Sequence, residues 1–195
     1  MLSYKSDIRV TYKPNCINSF SSKKFKITYY LGGKTMNVYL MKTFKEWAER
    51  FMNGNPTPFV AIDEPGVDMD YGKLTEAKKS ILFEQLDKQS DTKRRWGLIR
   101  TFFDRFYDDI SIGDILVLGT GQTTKFNVYA IVRIKSDSYY ITAPSSEYSR
   151  HRRNVEILWM GEPFQVEKWG WARRIELLDT KDRLKEFIKV YTDLK

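Results

Sequence analysis

The stretch Ile110-Ser111-Ile112-Gly113-Asp114-Ile115-Leu116-Val117-Leu118, followed by Phe126-Asn127-Val128-Tyr129-Ala130-Ile131-Val132-Arg133-Ile134, decides the fold. Ile112-Gly113-Asp114 is a turn signal, and Ile115 to Leu118 form a short apolar run of strand length. Residues 119–125 are polar, as a connecting loop requires. Phe126, Val128, Ala130, Val132 and Ile134 then alternate with a period of two, the mark of a strand with one buried face. Further strand candidates follow at Tyr139–Thr142, Val155–Met160, Phe164–Glu167 and Ala172–Leu178. Short strands broken by turns indicate a small barrel or sandwich. A closing helix is expected from Thr180, because Leu184, Phe187, Ile188 and Tyr191 recur at helical spacing.

Upstream, Ile8, Val10 and Tyr12 alternate with polar residues, as do Phe25, Ile27, Tyr29 and Leu31. Gly32-Gly33 supplies a turn and Met36, Val38 and Leu40 resume the alternation, so residues 25–41 read as a β-hairpin. Thr43 and Glu46 have capping-box spacing, Phe44, Trp47, Ala48 and Phe51 share a helical face, and Gly54 is placed to end that helix. Residues 62–74 carry Pro65, two glycines and four acids, which reads as an exposed linker. Thr75 begins a helix to about Leu86, and Ile99, Phe102, Phe103 and Phe106 mark another. The expected fold class is α+β, divided into a basic β-hairpin-helix unit (1–61), a linker (62–74) and a barrel domain with a C-terminal helix (75–195).

The chain has 195 residues, 33 Lys and Arg against 25 Asp and Glu, and a net charge of +8. Residues 1–60 carry +7, 61–90 carry −3 and 91–195 carry +4. Most of the surplus is therefore N-terminal, and a positive surface favours phosphate backbones. One cysteine, Cys16, excludes an intrachain disulfide framework and favours a reducing compartment. The sequence has no signal-like N-terminus and no apolar run of membrane-spanning length, so a cytoplasmic protein without membrane contact is expected.

Catalytic constellations are weak. The one histidine, His151, lies among arginines, a poor setting for a general base, so a dyad with Cys16 is disfavoured. Gly32-Gly33-Lys34-Thr35 resembles the end of a phosphate-binding loop, but Thr28 stands where its first glycine belongs. Asp68, Glu76 and Lys78 are the nearest approach to a metal-dependent nuclease set, and such triplets arise in any charged helix. The expectation is a non-catalytic protein without cofactor or metal.

The segment Ile110–Leu118, then Val128-Tyr129-Ala130-Ile131-Val132, Tyr139-Tyr140 and Tyr148-Ser149-Arg150-His151-Arg152-Arg153-Asn154-Val155-Glu156, resembles the EVE-like branch of the PUA superfamily. It is most similar to the N-terminal specificity domains of McrB-type modification-dependent restriction systems. The resemblance covers roughly residues 94–179; where the family often has Trp two residues after Val155, this chain has Ile157. It implies a PUA/EVE-like small β-barrel with flanking helices. It also implies binding of DNA, with a methylated base swung into an aromatic pocket, and an AAA+ GTPase motor on the same chain with a separate nuclease subunit.

The rings available for such a pocket are Trp96, Tyr139, Tyr140, Trp159, Trp169 and Trp171, each with a core reading beside the pocket one. For the nucleic-acid backbone the candidates are Lys93, Arg94, Arg95, Arg150, His151, Arg152, Arg153, Arg173 and Arg174, which a solvated loop would equally explain. Three rivals stand beside this reading: an RNA-binding PUA-like protein, the metal-dependent nuclease, and a protein-interaction domain that uses residues 1–60.

Overall fold

The apolar run of residues 115–118 and the period-two alternation of 126–134 produce the central pair of a sheet that is buried on both faces. A computed structural model of the chain describes residues 29–31, 34–89, 95–122, 125–144, 148–167, 169 and 173–194. The strand candidate at Ile8–Tyr12 and the turn at Gly32-Gly33 lie outside them. Strands β1 (Tyr29–Leu31) and β2 (Lys34–Met36) pair antiparallel as a short ladder of their own. The chain then runs through β3 (Val38–Lys42), α1 (Lys45–Met52), β4 (Phe59–Ile62), α2 (Glu76–Gln89) and α3 (Trp96–Asp104). It continues through β5 (Ile115–Gln122), β6 (Lys125–Ile134), β7 (Tyr139–Tyr140), β8 (His151–Glu167), β9 (Ile175–Leu177) and α4 (Lys181–Asp193).

The main sheet has the order β4-β8-β6-β5-β3-β9, with β7 also paired to β8. Its pairs are antiparallel except β3 with β5, which run parallel. Tyr129 is an extra residue opposite the Leu118/Gly119 step, and β8 carries further irregularities against β6. Such bulges raise local twist, and the sheet curls into a half-barrel. The protein is thus α+β. Gly119 suits its place beside the bulge, since a side chain there would collide with the Asn127 carbonyl and the Phe126 ring.

Alternation divides the apolar residues between two cores. Tyr39, Met41, Leu116, Leu118, Tyr129 and Val132 face α1, α2 and α3, while Val38, Leu40, Val117, Val128 and Ile131 face α4. Phe103 and Phe106 are fully buried in the first layer, and Leu184 and Phe187 close the second.

The expected three-part division does not hold. β3 lies hydrogen-bonded between β5 and β9, and β4 extends the sheet beside β8, so both belong to the same sheet as the C-terminal strands. The expected linker is packed: Ile62, Val67 and Tyr71 are buried, and residues Tyr71–Lys73 form a 3-10 turn. The capping box also fails to form. Phe44, not Thr43, is the N-cap of α1 and makes no side-chain cap bond. At α4 the expectation succeeds, with Thr180 accepting from the Arg183 amide. The two strand candidates at 155–160 and 164–167 are parts of the single 17-residue β8.

The Gly113-Asp114 turn locks this arrangement. Gly113 has φ +99, a conformation that L side chains rarely adopt. The buried Asp114 carboxylate accepts from the Asn37 amide (2.8 Å) and the Ser111 amide (2.9 Å), fixing the start of β3 to the start of β5. Substituting Asp114→Ala strands both amides and should cost about 3 kcal/mol in urea unfolding, with Asp114→Asn costing less because one acceptor oxygen survives. An unchanged urea midpoint for Asp114→Ala would show that this clasp contributes nothing.

Candidate functional site

Strand geometry sorts His151, Arg152 and Arg153 at the start of β8 into two sets, because alternate residues face opposite ways. His151 and Arg153 point inward and are buried. The Arg153 guanidinium donates to the carbonyls of Phe106 (2.8 Å), Tyr107 (3.1 Å) and Ser136 (3.2 Å). The first two belong to the π-helical turn Arg105–Asp109 that continues α3, where carbonyls lack helical partners. His151 Nε2 meets the Val67 carbonyl at 3.0 Å, and the Tyr107 hydroxyl lies 2.7 Å from Nδ1. A carbonyl only accepts, so Nε2 carries the proton and Tyr107 donates to Nδ1. Neither His151 nor Arg153 faces solvent, which removes both from the expected backbone-contact set. Arg150 pairs with Asp68, and Arg152 lies 4.1 Å from the Phe59 ring centre while donating to the Ser149 carbonyl.

The six expected pocket rings do not form one pocket. Trp96 is buried in the α2–α3 layer, 6.3 Å from Phe83. Trp169 is fully buried on the opposite face against Phe187. Both are core residues. Trp159 is half-buried near Phe164 on that same face. Tyr139 donates to Asn154 Oδ1, and Tyr140 lies 5.0 Å from His151. Trp171, Lys93 and Arg94 lie outside the described residues. The carboxylates considered for a nuclease are engaged, Glu76 with Lys79 and Arg100, and Asp68 with Arg150. No group of three His, Cys, Asp or Glu among the described residues is arranged to hold a metal ion.

A different set of rings does converge. A cleft of about 520 Å³ opens between the start of α1, the segment after β4 and the end of β5. Trp47 and Tyr148 stack on its wall, with centroids 4.6 Å apart and planes at 17°, and Phe44 meets Trp47 edge-on at 5.1 Å. Phe44 is 59% exposed and Tyr148 42%, so apolar ring surface is presented to solvent. Tyr148 has φ +56, the single described non-glycine residue with positive φ. That conformation costs roughly 1–2 kcal/mol, and such outliers concentrate at functional sites. Asp63 and Glu64 also line the cleft; Asp63 accepts from the Glu64 and Arg150 amides.

Beside it lies a second cavity of about 330 Å³, lined by Arg95, Arg105, Arg173 and Arg174. Glu64, Phe102 and Arg174 line both. Arg174 bridges to Glu64 at 2.9 Å and lies 5.3 Å from the Phe102 ring centre. The combined site offers flat ring surface, two carboxylates and several guanidinium groups. That set is suited to a planar, hydrogen-bonding group attached to an anion.

Three of the expected cations, Arg95, Arg173 and Arg174, thus meet in one place, joined by Arg105, which sequence reasoning did not select. Phe44 and Trp47 were read as an apolar helix face. The available signal was an aromatic residue at a helix start, where a polar cap is usual.

Among known families, one described as a domain of unknown function (DUF8426) matches residues 61–185. The match includes Asp63, Glu64, Tyr148 and the four arginines, while Phe44 and Trp47 precede it. No curated protein matches the chain. No helix among the described residues is long and apolar enough to cross a membrane.

Two stability measurements test the inward row of β8. Replacing Arg153 with Met leaves three carbonyls without their donor and should cost about 3 kcal/mol or more; a loss under about 1 kcal/mol would show that other donors take over. Burial is the main cause holding His151 below its usual value near 6.5. The unfolded chain then takes up a proton that the folded chain does not, so stability is full above pH 6.5 and declines as pH falls through it. Since the sequence has one histidine, the urea midpoint should begin to drop near that pH, and His151→Gln should remove this part of the slope while lowering stability at pH 7.5.

Proposed function

The chain belongs to the DUF8426 family, and we propose that it is a non-catalytic nucleic-acid-binding module that reads a methylated base in DNA. The observation that carries this reading is the cleft walled by Trp47, Tyr148 and Phe44 beside a cavity of arginines. Extruding a base from a duplex costs a few kcal/mol, and stacking on an aromatic ring returns about 1–3 kcal/mol. The rings are exposed at the mouth, where a swung-out base would enter. Asp63 and Glu64 are acceptors for an exocyclic amino group, and N6-methyladenine and N4-methylcytosine each keep one N–H to donate.

The curled sheet with helical layers supports the PUA/EVE-like reading of the architecture. The base-reading residues proposed are Phe44, Trp47 and Tyr148, in place of the core residues Trp96 and Trp169. In the same reading the module targets a McrB-type restriction assembly, with the GTPase motor and nuclease supplied by other parts of that assembly. A single methyl group contributes only about 1–3 kcal/mol, so the motor would act on a modest preference, about 10–200-fold.

Fluorescence anisotropy with matched duplexes, unmodified or carrying one N6-methyladenine or modified cytosine, tests the proposal. At least tenfold tighter binding of one methylated duplex is expected. Trp47→Ala should abolish that preference and retain the salt-sensitive background. Equal affinity for all duplexes rejects the base reader, and tighter binding of RNA of the same sequence moves the assignment to RNA.

A further inference from the structure

We propose that the arginine cavity is a phosphate site, holding the phosphodiester group next to the nucleotide whose base enters the aromatic cleft. Its position beside a read base rests on the reading above; its affinity for a strand does not. The cations arrive from three parts of the chain: Arg95 just before α3, Arg105 just after it, and Arg173 with Arg174 before β9. One acid, Glu64, stands among them, and Arg174 already bridges it. Leu98, Ile99 and Phe102 supply apolar walls, and a concave surface with a net positive lining and such walls concentrates its field.

Two of the guanidinium groups are oriented by internal contacts. Arg105 donates to the Ile175 carbonyl, and Arg174 is held between Glu64 and Phe102. Each contact uses part of a five-donor fork, so the remaining N–H groups are pre-positioned for the planar, bidentate capture that phosphate oxygens accept. Arg95 and Arg173 are exposed and flank the opening. The shared walls Glu64, Phe102 and Arg174 make the two cavities neighbours, as the base and phosphate of one nucleotide are. The Arg150–Arg153 run lacks this arrangement, because His151 and Arg153 face inward and Arg150 is paired with Asp68.

The test is anisotropy of a labelled single-stranded oligonucleotide, with or without one N6-methyladenine, across a range of KCl concentrations. Arg95→Gln and Arg173→Gln alter exposed side chains, so the melting temperature should not change. Each should weaken binding of both oligonucleotides by the same factor and reduce the salt slope by roughly 0.7 per lost phosphate contact. A slope unchanged in both variants overturns the phosphate site, even where methyl preference is intact. A reduced slope without methyl preference leaves the phosphate site standing and removes the base reader. Deoxyadenosine 5′-monophosphate should compete poorly; strong competition that Arg173→Gln abolishes assigns the cavity to free nucleotides and overturns the strand phosphate.

Discussion

The Arg153 guanidinium is the tie between the helical layer and the sheet. From the inward face of β8 it reaches the carbonyls of Phe106 and Tyr107 at the end of the α3 segment, and the Ser136 carbonyl between β6 and β7. A buried cation is costly to desolvate, and here it is balanced by three carbonyl dipoles and the Phe106 ring. No closely bonded carboxylate is needed, because the carbonyl end of a helix carries partial negative charge. Two residues earlier in the same inward row, His151 joins Tyr107 to the Val67 carbonyl. Together they hold the segment around residues 62–74 and the π-helical turn against one strand.

The candidate site forms at one end of the sheet. Since β3 and β5 are parallel and paired as far as Lys42 and Gly119, β3 leaves the sheet beside the last residues of β5. The chain therefore places Thr43 to Trp47 beside Thr120 and Gly121. The Tyr129 bulge falls at this end too, and its hydroxyl donates to the Thr43 carbonyl, fixing the chain where it turns into α1. β4 enters antiparallel to β8 and delivers Asp63 and Glu64 to the same region. The cleft thus arises where strands from distant parts of the chain end together.

Much of this was legible in the sequence. Residues 115–118 and 126–134 announced the central strands, Ile99 to Phe106 the α3 layer, and Thr180 the start of α4. The Gly113-Asp114 turn was marked by composition, although its role as a clasp on Asn37 was not. The division at residues 62–74 misled because Pro, Gly and Asp are turn residues in packed and exposed connections alike. What such residues say about backbone direction is local; burial of Val67 and Tyr71 depends on what packs over them.

The candidate site was less legible for the same reason. The sequence presented residues 150–153 as a basic run that a solvated loop would equally explain, and it did not show that a strand begins at His151. It did not establish which face the helices cover. That choice buried Arg153 and His151, left Arg173 exposed, and enclosed Trp96 and Trp169 while exposing Phe44 and Tyr148. The sequence by itself marked β5, β6, α3, α4 and the surplus of cations, because these follow from residue type and from neighbours along the chain; it did not mark β4. Only the tertiary structure decided which rings and which arginines meet, because the parallel pairing of β3 with β5 joins residues more than 70 positions apart.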